Sequence, residues 1–159
     1  KLISGDIKPS SEIKMHLRVY QEDSRVRAVT HSHSPYATSF AITRTPMNKA
    51  ILPEAMVNLG NIPIAEYATP GTVELSESVA AYVKDYNCAL LANHGPVTWG
   101  SDLTQAYFRM ESLEHYAKVL LITQQLGNAK ELSSRDIDSL IQIREKIGIT
   151  KGRMPKQWG

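Results

Sequence analysis

Several features that mark other protein classes are scarce in this sequence. Its 159 residues contain one cysteine, Cys88, which excludes an internal disulfide framework and is typical of a reducing compartment. No apolar run approaches the roughly 20 residues that span a bilayer, and no secretory signal peptide is visible. The 18 basic and 16 acidic residues give a net charge of only +2 and form no basic block. We therefore expect a cytoplasmic protein that binds neither nucleic acid nor a membrane.

The sequence also has no internal repeat and no low-complexity linker, so residues 1–159 are expected to form one domain. A chain of this length can bury a substantial apolar core. It begins at Lys1 rather than at an initiator methionine, as expected of a fragment or of a partly ordered product. Leu2 and Ile3 are expected to end a strand or hairpin. Residues 151–159 are expected to form a basic tail that is either mobile or docked on a partner subunit.

The spacing of apolar residues predicts short strands alternating with helices. Strands are expected at residues 26–29, 62–67, 88–93 and 97–99, and helices are expected to begin near residues 11, 35, 72, 102 and 133. The last two strands are expected to pair antiparallel, and Pro63 places the second strand at a sheet edge. The segment from Pro46 to Pro53 is predicted to be a loop. The predicted buried faces are Ile13, Leu17 and Tyr20 on the first helix and Leu103, Ala106, Tyr107, Met110, Leu113, Ala117, Leu120 and Leu121 on the longest.

Three histidines stand where predicted strands end. His31 and His33 follow the alternating run at residues 26–29, and residues two apart on a strand point to the same face. The pair Ser34–Pro35 is typical of a helix start, so the strand ends directly after His33. His94 ends a second predicted strand. Imidazoles grouped at strand ends can bind zinc or a similar divalent metal, although a His-x-His pair is also compatible with the polar edge of a strand.

Other titratable or nucleophilic residues have simpler interpretations when they are considered one at a time. Glu12 lies in the first turn of a predicted helix, where the helix dipole favours a carboxylate, so it can be an ordinary N-terminal helix acid. His16, one turn later, is expected at the edge of the core. Cys88 opens an apolar strand and is expected to be a buried small side chain rather than a nucleophile.

Four motifs carry more information together than any of these residues alone. They are Pro-Ser-Ser-Glu at residues 9–12, His-Ser-His-Ser-Pro-Tyr-Ala-Thr at 31–38, Tyr-Ala-Thr-Pro-Gly-Thr at 67–72 and Leu-Ala-Asn-His-Gly-Pro-Val at 91–97. In order and spacing they resemble the motifs of the class II aldolase/adducin family, and the long helix after Gly100 matches as well. The resemblance covers nearly the whole chain. Within the family, the motifs are most similar to those of the L-fuculose-1-phosphate aldolases.

The resemblance implies a fold class and a set of site residues. The fold is an α/β domain with three α/β/α layers around a central, mostly antiparallel sheet, here without the N-terminal part of the family's fold. His31, His33 and His94 become the imidazole ligands of one Zn2+ per subunit, and Glu12 becomes both a metal-approaching carboxylate and the catalytic acid/base. Ser10–Ser11 becomes part of the phosphate site, because hydroxyls and free backbone N–H groups at a helix start suit an anion.

The resemblance also implies an activity. A zinc-dependent lyase of this kind cleaves a ketose 1-phosphate, such as L-fuculose 1-phosphate, to dihydroxyacetone phosphate and an aldehyde by retro-aldol chemistry. The metal acts as a Lewis acid on the carbonyl and stabilises an enediolate, while Glu12 exchanges a proton with its carbon. The implied partner is a small sugar phosphate of carbohydrate metabolism. The implied assembly is a homotetramer with active sites at the subunit interfaces.

Two differences from the family's pattern leave alternatives open. The family's N-terminal strand–helix unit, with its further phosphate contacts, does not occur in this sequence, and neither the loop at residues 51–54 nor the tail at 157–159 supplies a tyrosine to protonate the aldehyde product. An L-ribulose-5-phosphate 4-epimerase shares the metal site and the retro-aldol step, although it typically has an aspartate in place of Glu12. An adducin-like interaction domain keeps the fold without the metal ligands, whereas all four candidate ligands are present here.

Overall fold

Six helices and four strands make up the part of the chain that the computed structural model describes, residues 4–127 and 129–154. In chain order they are α1 (Ile13–Glu22), β1 (Ala28–His31), α2 (Pro35–Thr43), α3 (Pro53–Asn58), β2 (Ile64–Ala65), α4 (Val73–Val83), β3 (Cys88–Leu91), β4 (Gly95–Gly100), α5 (Leu103–Leu126) and α6 (Ser134–Lys146). The expected strand end at Leu2 and Ile3, and the last five residues of the expected tail, lie outside the described residues.

The four strands form one mixed sheet in the order β1–β4–β3–β2. β4 pairs antiparallel with β1, where His31 is opposite Val97, and with β3, where Leu91 is opposite Gly95. β2 and β3 are parallel, because α4 carries the chain across between them. The prediction of a mostly antiparallel sheet is confirmed, and β2 lies at an edge, as Pro63 predicts.

Helices cover both faces of this sheet. On one face, side chains of α2, α3, α5 and α6 pack with Cys88 and Leu90 of β3. On the other face, α1 and α4 pack with Ala89 and Leu91 of the same strand. Successive residues of a strand point to opposite faces, so β3 contributes to two apolar cores and all four of its residues are buried. The predicted α/β/α layers are thereby confirmed, and Cys88 is a buried side chain, as expected.

α1 buries a different face from the one predicted. Met15 and Val19 are buried in the core shared with α4, whereas Ile13, Leu17 and Tyr20 are exposed. Both sets follow a helical spacing, and in a helix of 10 residues the apolar period alone does not decide which of two neighbouring stripes faces the core. The error therefore comes from the choice of stripe and not from the helix itself.

α5 confirms the predicted apolar stripe except near its start and at Leu121, which is only partly buried. Leu103 and Tyr107, in the first two turns, are exposed. The confirmed buried members are Ala106, Met110, Leu113, Ala117 and Leu120. α5 has 24 residues, but no helix within the described ranges combines the length and the apolar character that a membrane span requires.

α3 begins at Pro53, where the predicted loop ends, and occupies a segment for which the sequence predicts no helix. Pro53 is the first residue of this six-residue helix, a position where its fixed φ and missing N–H carry no cost. Ala55 and Met56 are buried within it. Six residues are too few for a helical period to be recognised in a sequence, which is why α3 was not predicted.

The C-terminal end of the described chain returns to the body of the protein. Arg144 of α6, whose residue is 4% exposed, donates a hydrogen bond to the carbonyl oxygen of Gly152 at 2.9 Å. Lys151 forms an ion pair with the buried Asp23, which follows α1. The expectation of a mobile or partner-docked tail is therefore wrong for residues 151–154, which are bound within their own chain.

Candidate metal centre

Two chain turns at one end of the sheet bring three histidines together. His31 ends β1, His33 lies in the link between β1 and α2, and His94 lies in the turn between β3 and β4. Because β1 and β3 both pair with β4, the two turns are neighbours. The three ring centroids are 4.7 to 5.1 Å apart, and one ring nitrogen from each residue lies within 4.8 Å of the others. The structure thus groups the three imidazoles that the sequence predicts as metal ligands.

Gly95 allows these two turns to approach each other closely. A Cβ atom at this position would overlap the carbonyl oxygen of Ser32 and would lie 3.3 Å from Cδ2 of His33. Any larger residue would therefore push the turn that carries His94 away from the link that carries His33. A glycine is therefore required after His94 because two backbone segments pack closely at this point.

Hydrogen bonding and burial prepare His31 to act as a ligand. Its Nδ1 is 2.9 Å from the carbonyl oxygen of Pro96, which can only accept, so Nδ1 carries the hydrogen and Nε2 keeps a free lone pair. Burial lowers the pKa of His31 to about 4, although the bond to Pro96 opposes the shift. Burial also lowers the pKa of His94, against the opposing effect of Glu12. Both rings are therefore neutral near pH 7, the state that binds a metal.

Glu12 reaches the cluster from the start of α1. It is the N-cap residue of that helix and not a first-turn residue, and its side chain makes no capping hydrogen bond. Its Oε2 lies 3.7 Å from Nε2 of His94 and 4.0 Å from Nε2 of His31, and 14% of the side chain is exposed. The simple interpretation as a first-turn helix acid is therefore wrong by one residue, and helix capping does not explain the direction of the carboxylate.

The donor set fits a divalent cation. Glu12 Oε2 and His31 Nε2, which lie 4.0 Å apart, are buried atoms without a hydrogen-bond partner among the described residues. Buried polar atoms are nearly always paired, and an unpaired buried carboxylate oxygen is costly. Three imidazoles and one carboxylate form a donor set of the kind that zinc uses. The predicted residues therefore form a candidate site for one metal ion.

Ser10 and Ser11, the predicted phosphate residues, lie just before Glu12 and are exposed. The Ser10 hydroxyl accepts a hydrogen bond from the backbone N–H of Glu12 at 3.2 Å. A Cβ atom on Gly71 would lie 3.7 Å from the backbone oxygen of Ser11, so the motif at 67–72 contacts the motif at 9–12. The structure thus joins two motifs that are 55 or more residues apart in the sequence.

One carboxylate beside the site is absent from the sequence-based prediction. Glu114 of α5 accepts hydrogen bonds from the backbone N–H groups of Tyr36 and Ala37, at 2.9 and 2.8 Å. These residues begin α2, directly after the link that carries His33. No local pattern singles out Glu114, because one acidic residue on an amphipathic helix is ordinary. Its two hydrogen bonds join residues that are 78 and 77 positions apart in the sequence.

A groove of about 580 Å3 lies elsewhere, between the start of α5 and the segment after α6. It is lined by Asn58, Phe108, Arg109 and Ile149, among others, and by none of the three clustered histidines. Apart from Asp102 and Arg109, its lining has no ionisable side chain. The chemistry-bearing residues of the described chain are therefore concentrated at the histidine cluster and not in this groove.

The chain is similar to a known protein family and to several known proteins. Residues 1–121 match the family model described as "Class II Aldolase and Adducin N-terminal domain". An L-fuculose phosphate aldolase of Methanococcus maripaludis is 39% identical over 128 residues, which cover 79% of this chain and 69% of that protein. A 3-oxo-tetronate 4-phosphate decarboxylase of Pectobacterium atrosepticum is 38% identical over 144 residues, which cover 87% and 64%. The chain thus spans about two thirds of the length of these relatives.

The solved structures agree with the sequence matches. The structure of an L-fuculose 1-phosphate aldolase aligns with a TM-score of 0.81 and 32% identity, and the alignment covers 92% of this chain and 67% of that one. The family model alone covers well over half of the chain. With the α/β/α fold and the grouped histidines, these matches identify the chain as a member of the class II aldolase and adducin family.

Proposed function

We propose that this chain carries the catalytic centre of a zinc-dependent class II aldolase that cleaves a ketose 1-phosphate of the L-fuculose-1-phosphate type to dihydroxyacetone phosphate and an aldehyde. The observation that carries the proposal is the cluster of His31, His33 and His94, with the unpaired Oε2 of Glu12 beside it. An adducin-like interaction domain has no need of these four side chains, so the cluster favours an enzyme.

His31, His33 and His94 would hold one Zn2+ per subunit, with Glu12 as a fourth donor. A zinc ion supplies Lewis-acid polarisation of a carbonyl and positive charge for an enediolate. Two of the imidazoles are held neutral by burial. The hydrogen bond from His31 to Pro96 fixes which nitrogen of that ring is free. The chain's own contribution to this site is therefore three imidazole nitrogens, two of them on rings that burial keeps neutral, and one carboxylate oxygen.

Glu12 is the proposed acid/base. In the cleavage direction Glu12 starts protonated, the bond between carbons 3 and 4 breaks, and its electron pair remains on carbon 3. The hydroxyl proton on carbon 4 passes to water as the aldehyde forms, and water reprotonates Glu12 after turnover. Glu12 then donates a proton to carbon 3 to complete dihydroxyacetone phosphate, and in the synthetic direction it removes that proton. General acid–base catalysis of this kind contributes about a hundredfold to ten-thousandfold to a rate.

Ser10 and Ser11 are the proposed phosphate contacts. They precede α1, where the helix dipole favours an anion. The backbone N–H groups of Glu12 and Ile13 already bond to Ser10, so the two exposed hydroxyls are the proposed donors. Their exposed position beside the motif at 67–72 leaves room for a phosphate group. This contact would orient the substrate so that carbon 3 faces Glu12, two residues away from Ser10 in the sequence.

A second candidate function is the decarboxylation of a 3-oxo acid phosphate. The observation that favours it is the match to the 3-oxo-tetronate 4-phosphate decarboxylase, which covers 87% of this chain. Loss of carbon dioxide from such a substrate leaves the same enediolate of dihydroxyacetone phosphate, so Glu12 would perform the same protonation. It releases no aldehyde, and therefore needs no tyrosine in the segment at residues 51–54, where this chain has none.

Product analysis on the full-length, zinc-loaded protein separates these functions. The substrates are L-fuculose 1-phosphate, L-ribulose 5-phosphate and 3-oxo-tetronate 4-phosphate, supplied one at a time. We expect dihydroxyacetone phosphate and an aldehyde from the first. Carbon dioxide from the third alone would favour the decarboxylase, and epimerisation of the second would favour an epimerase. No product from any of them by protein with bound zinc would contradict an enzymatic role of this class.

A further inference from the structure

We infer that Glu114 is a positioning residue for the metal centre, which it serves by fixing the start of α2 and, through it, the backbone that carries His33. The inference rests on the proposed metal-binding function of the histidine cluster. It concerns a carboxylate that does not approach the metal site itself. Its evidence is a pair of backbone hydrogen bonds, the lack of any other cap on α2, and the contacts of α2 with both histidine-bearing turns.

Glu114 supplies the N-terminal cap that α2 lacks. Its two carboxylate oxygens accept from the N–H groups of Tyr36 and Ala37 at 2.9 and 2.8 Å. The first N–H groups of a helix have no partner within it, so an external acceptor is required. Ser34 is the N-cap residue, but its side chain makes no capping bond, and its hydroxyl is buried without a partner among the described residues. A negative charge at this end is also favoured by the helix dipole.

His33 depends on its backbone for its position. His31 is held by a hydrogen bond to Pro96, whereas the His33 side chain makes no hydrogen bond within the described residues and belongs to an exposed residue. Only residues 32–34 connect β1 to α2, and Pro35 restricts the first helical position. A displacement of the start of α2 therefore moves His33 directly.

The opposite end of α2 contacts the turn that carries His94. The carbonyl oxygen of Ala41 accepts from the N–H of Asn93 at 3.3 Å, and Arg44 Nη2 donates to Oδ1 of Asn93 at 2.8 Å. Arg44 and Asn93 both have positive φ, at 52° and 59°, a conformation that persists when the surroundings enforce it. α2 thus connects the His33 link to the His94 turn, and Glu114 anchors α2 to α5.

A metal titration distinguishes this positioning role from a merely structural one. In the full-length apoprotein, Glu114→Gln keeps the shape of the side chain but removes the charge and one of the two acceptors. We expect its dissociation constant for Zn2+ to rise by about 10- to 100-fold, the range found when partners that orient metal ligands are lost. The Co2+-substituted variant should also show an altered d–d absorption spectrum, which a change in stability alone would not produce.

Two control variants make the comparison specific. Glu111→Gln makes the same chemical change one turn earlier on α5, where the carboxylate is exposed and accepts a hydrogen bond from Tyr107. This variant should bind Zn2+ as the wild type does. Ile137→Val destabilises the core at α6, a helix that contributes no residue to the histidine cluster, and should also leave the affinity unchanged. The inference would be overturned if Glu114→Gln bound Zn2+ within twofold of the wild-type affinity and its Co2+ spectrum were unaltered.

The remaining outcomes are also decisive. If Glu114→Gln does not fold, the titration is made on Glu114→Asp, which keeps the charge but is shorter by one methylene. Failure of both variants to fold would overturn the inference, because it would show that Glu114 supports the whole domain and not the site. If the wild-type protein itself binds no Zn2+, the proposed function fails. If the wild type and Glu114→Gln bind Zn2+ equally well, only the role of Glu114 is refuted.

Discussion

Glu12 has a carboxylate oxygen that is buried and without a hydrogen-bond donor in the described part of the chain. The nearby ring nitrogens of His94 and His31, at 3.7 and 4.0 Å, belong to imidazoles whose pKa values are lowered by burial. They therefore supply no positive charge near pH 7. A buried carboxylate is stabilised by a cation, and at the scale of single residues this imbalance is the strongest physical argument for a metal ion.

Alanine variants of the histidines test the ligand set directly. His31→Ala, His33→Ala and His94→Ala each remove one nitrogen donor, so each full-length variant is expected to lose most of its zinc, whereas the wild type should hold about one ion per chain. Elemental analysis of folded protein measures the content. His115→Ala, at an exposed position on α5, is the control and should keep its metal. Zinc retained in full by the three cluster variants would contradict the assigned ligand set.

The grouping of the three proposed metal ligands was predictable from local patterns, but the contacts that hold these residues in place were not. His31, His33 and His94 follow predicted strands, and the end of a strand is a recognisable position. The hydrogen bond from His31 to Pro96 and the hydrogen bonds that Glu114 accepts from the start of α2 join residues 65 to 78 positions apart. Nothing in the sequence around either residue indicates such a contact, because long-range pairing depends on how the elements pack.

At the scale of elements, the close approach of the turn between β3 and β4 to the link between β1 and α2 positions the histidines. Gly95→Ala tests this packing, because the added Cβ would overlap the carbonyl oxygen of Ser32. Overpacking of this kind costs about 1–3 kcal/mol or more. Urea unfolding should show a loss of stability in this range, and zinc content should fall with it.

Gly5→Ala is the matched control for that substitution. Nothing lies within 4 Å of a Cβ at Gly5, and its φ of +87° alone makes the change unfavourable, by about 1 kcal/mol. Its zinc content should equal that of the wild type. If Gly95→Ala is as stable as the wild type and binds as much zinc, the two backbone segments are not as closely packed as described.

The sequence predicted helices and strands correctly where an element was long enough to show its apolar period or began at a recognisable capping residue. α2, α4, β3 and β4 lie close to where they are expected, and Ser133, near which the last helix is expected to begin, is the N-cap of α6. α3 was missed because six residues show no period. The buried face of α1 was wrong because two apolar stripes lie side by side and only tertiary packing selects one.

At the scale of the whole molecule, Asp23 ties the chain near α1 to the segment after α6. Hydrogen bonds from Arg25 and an ion pair with Lys151 hold the pKa of Asp23 well below its usual range, although burial opposes them. The unfolded state, with a pKa of about 3.9, binds the proton more readily than the folded state. The stabilisation is therefore present above about pH 4 and is lost as the pH falls further.

Asp23→Asn should lower the free energy of unfolding at pH 7 by about 3 kcal/mol, the order expected when one partner of a buried ion pair is removed. The difference from wild type should shrink as the pH falls below about 4. Urea unfolding at pH 7 and at several lower values measures it. Asp85→Asn, which alters an exposed pair with Arg153, is the control and should have little effect. A difference independent of pH would show that the charge of Asp23 is not the cause.

The surface of α5 bears on assembly. Leu103, Tyr107 and Phe108 are 67%, 51% and 57% exposed on its first two turns, and apolar side chains grouped in this way are typical of an interface. We expect the full-length protein to form a homotetramer, as the family resemblance implies. Light scattering at micromolar concentration should give four times the chain mass. A monomeric mass would contradict the proposed active sites at subunit interfaces.

The central claim is that a metal held by three histidines and a proton carried by Glu12 together support enediolate chemistry. The direct test incubates full-length, zinc-loaded protein with dihydroxyacetone phosphate in heavy water and follows deuterium at carbon 3 by NMR. Wild-type protein should incorporate deuterium, and Glu12→Gln with zinc still bound should do so about a hundredfold to ten-thousandfold more slowly. Exchange at the wild-type rate in that variant, or no exchange by the zinc-loaded wild type, would contradict the claim.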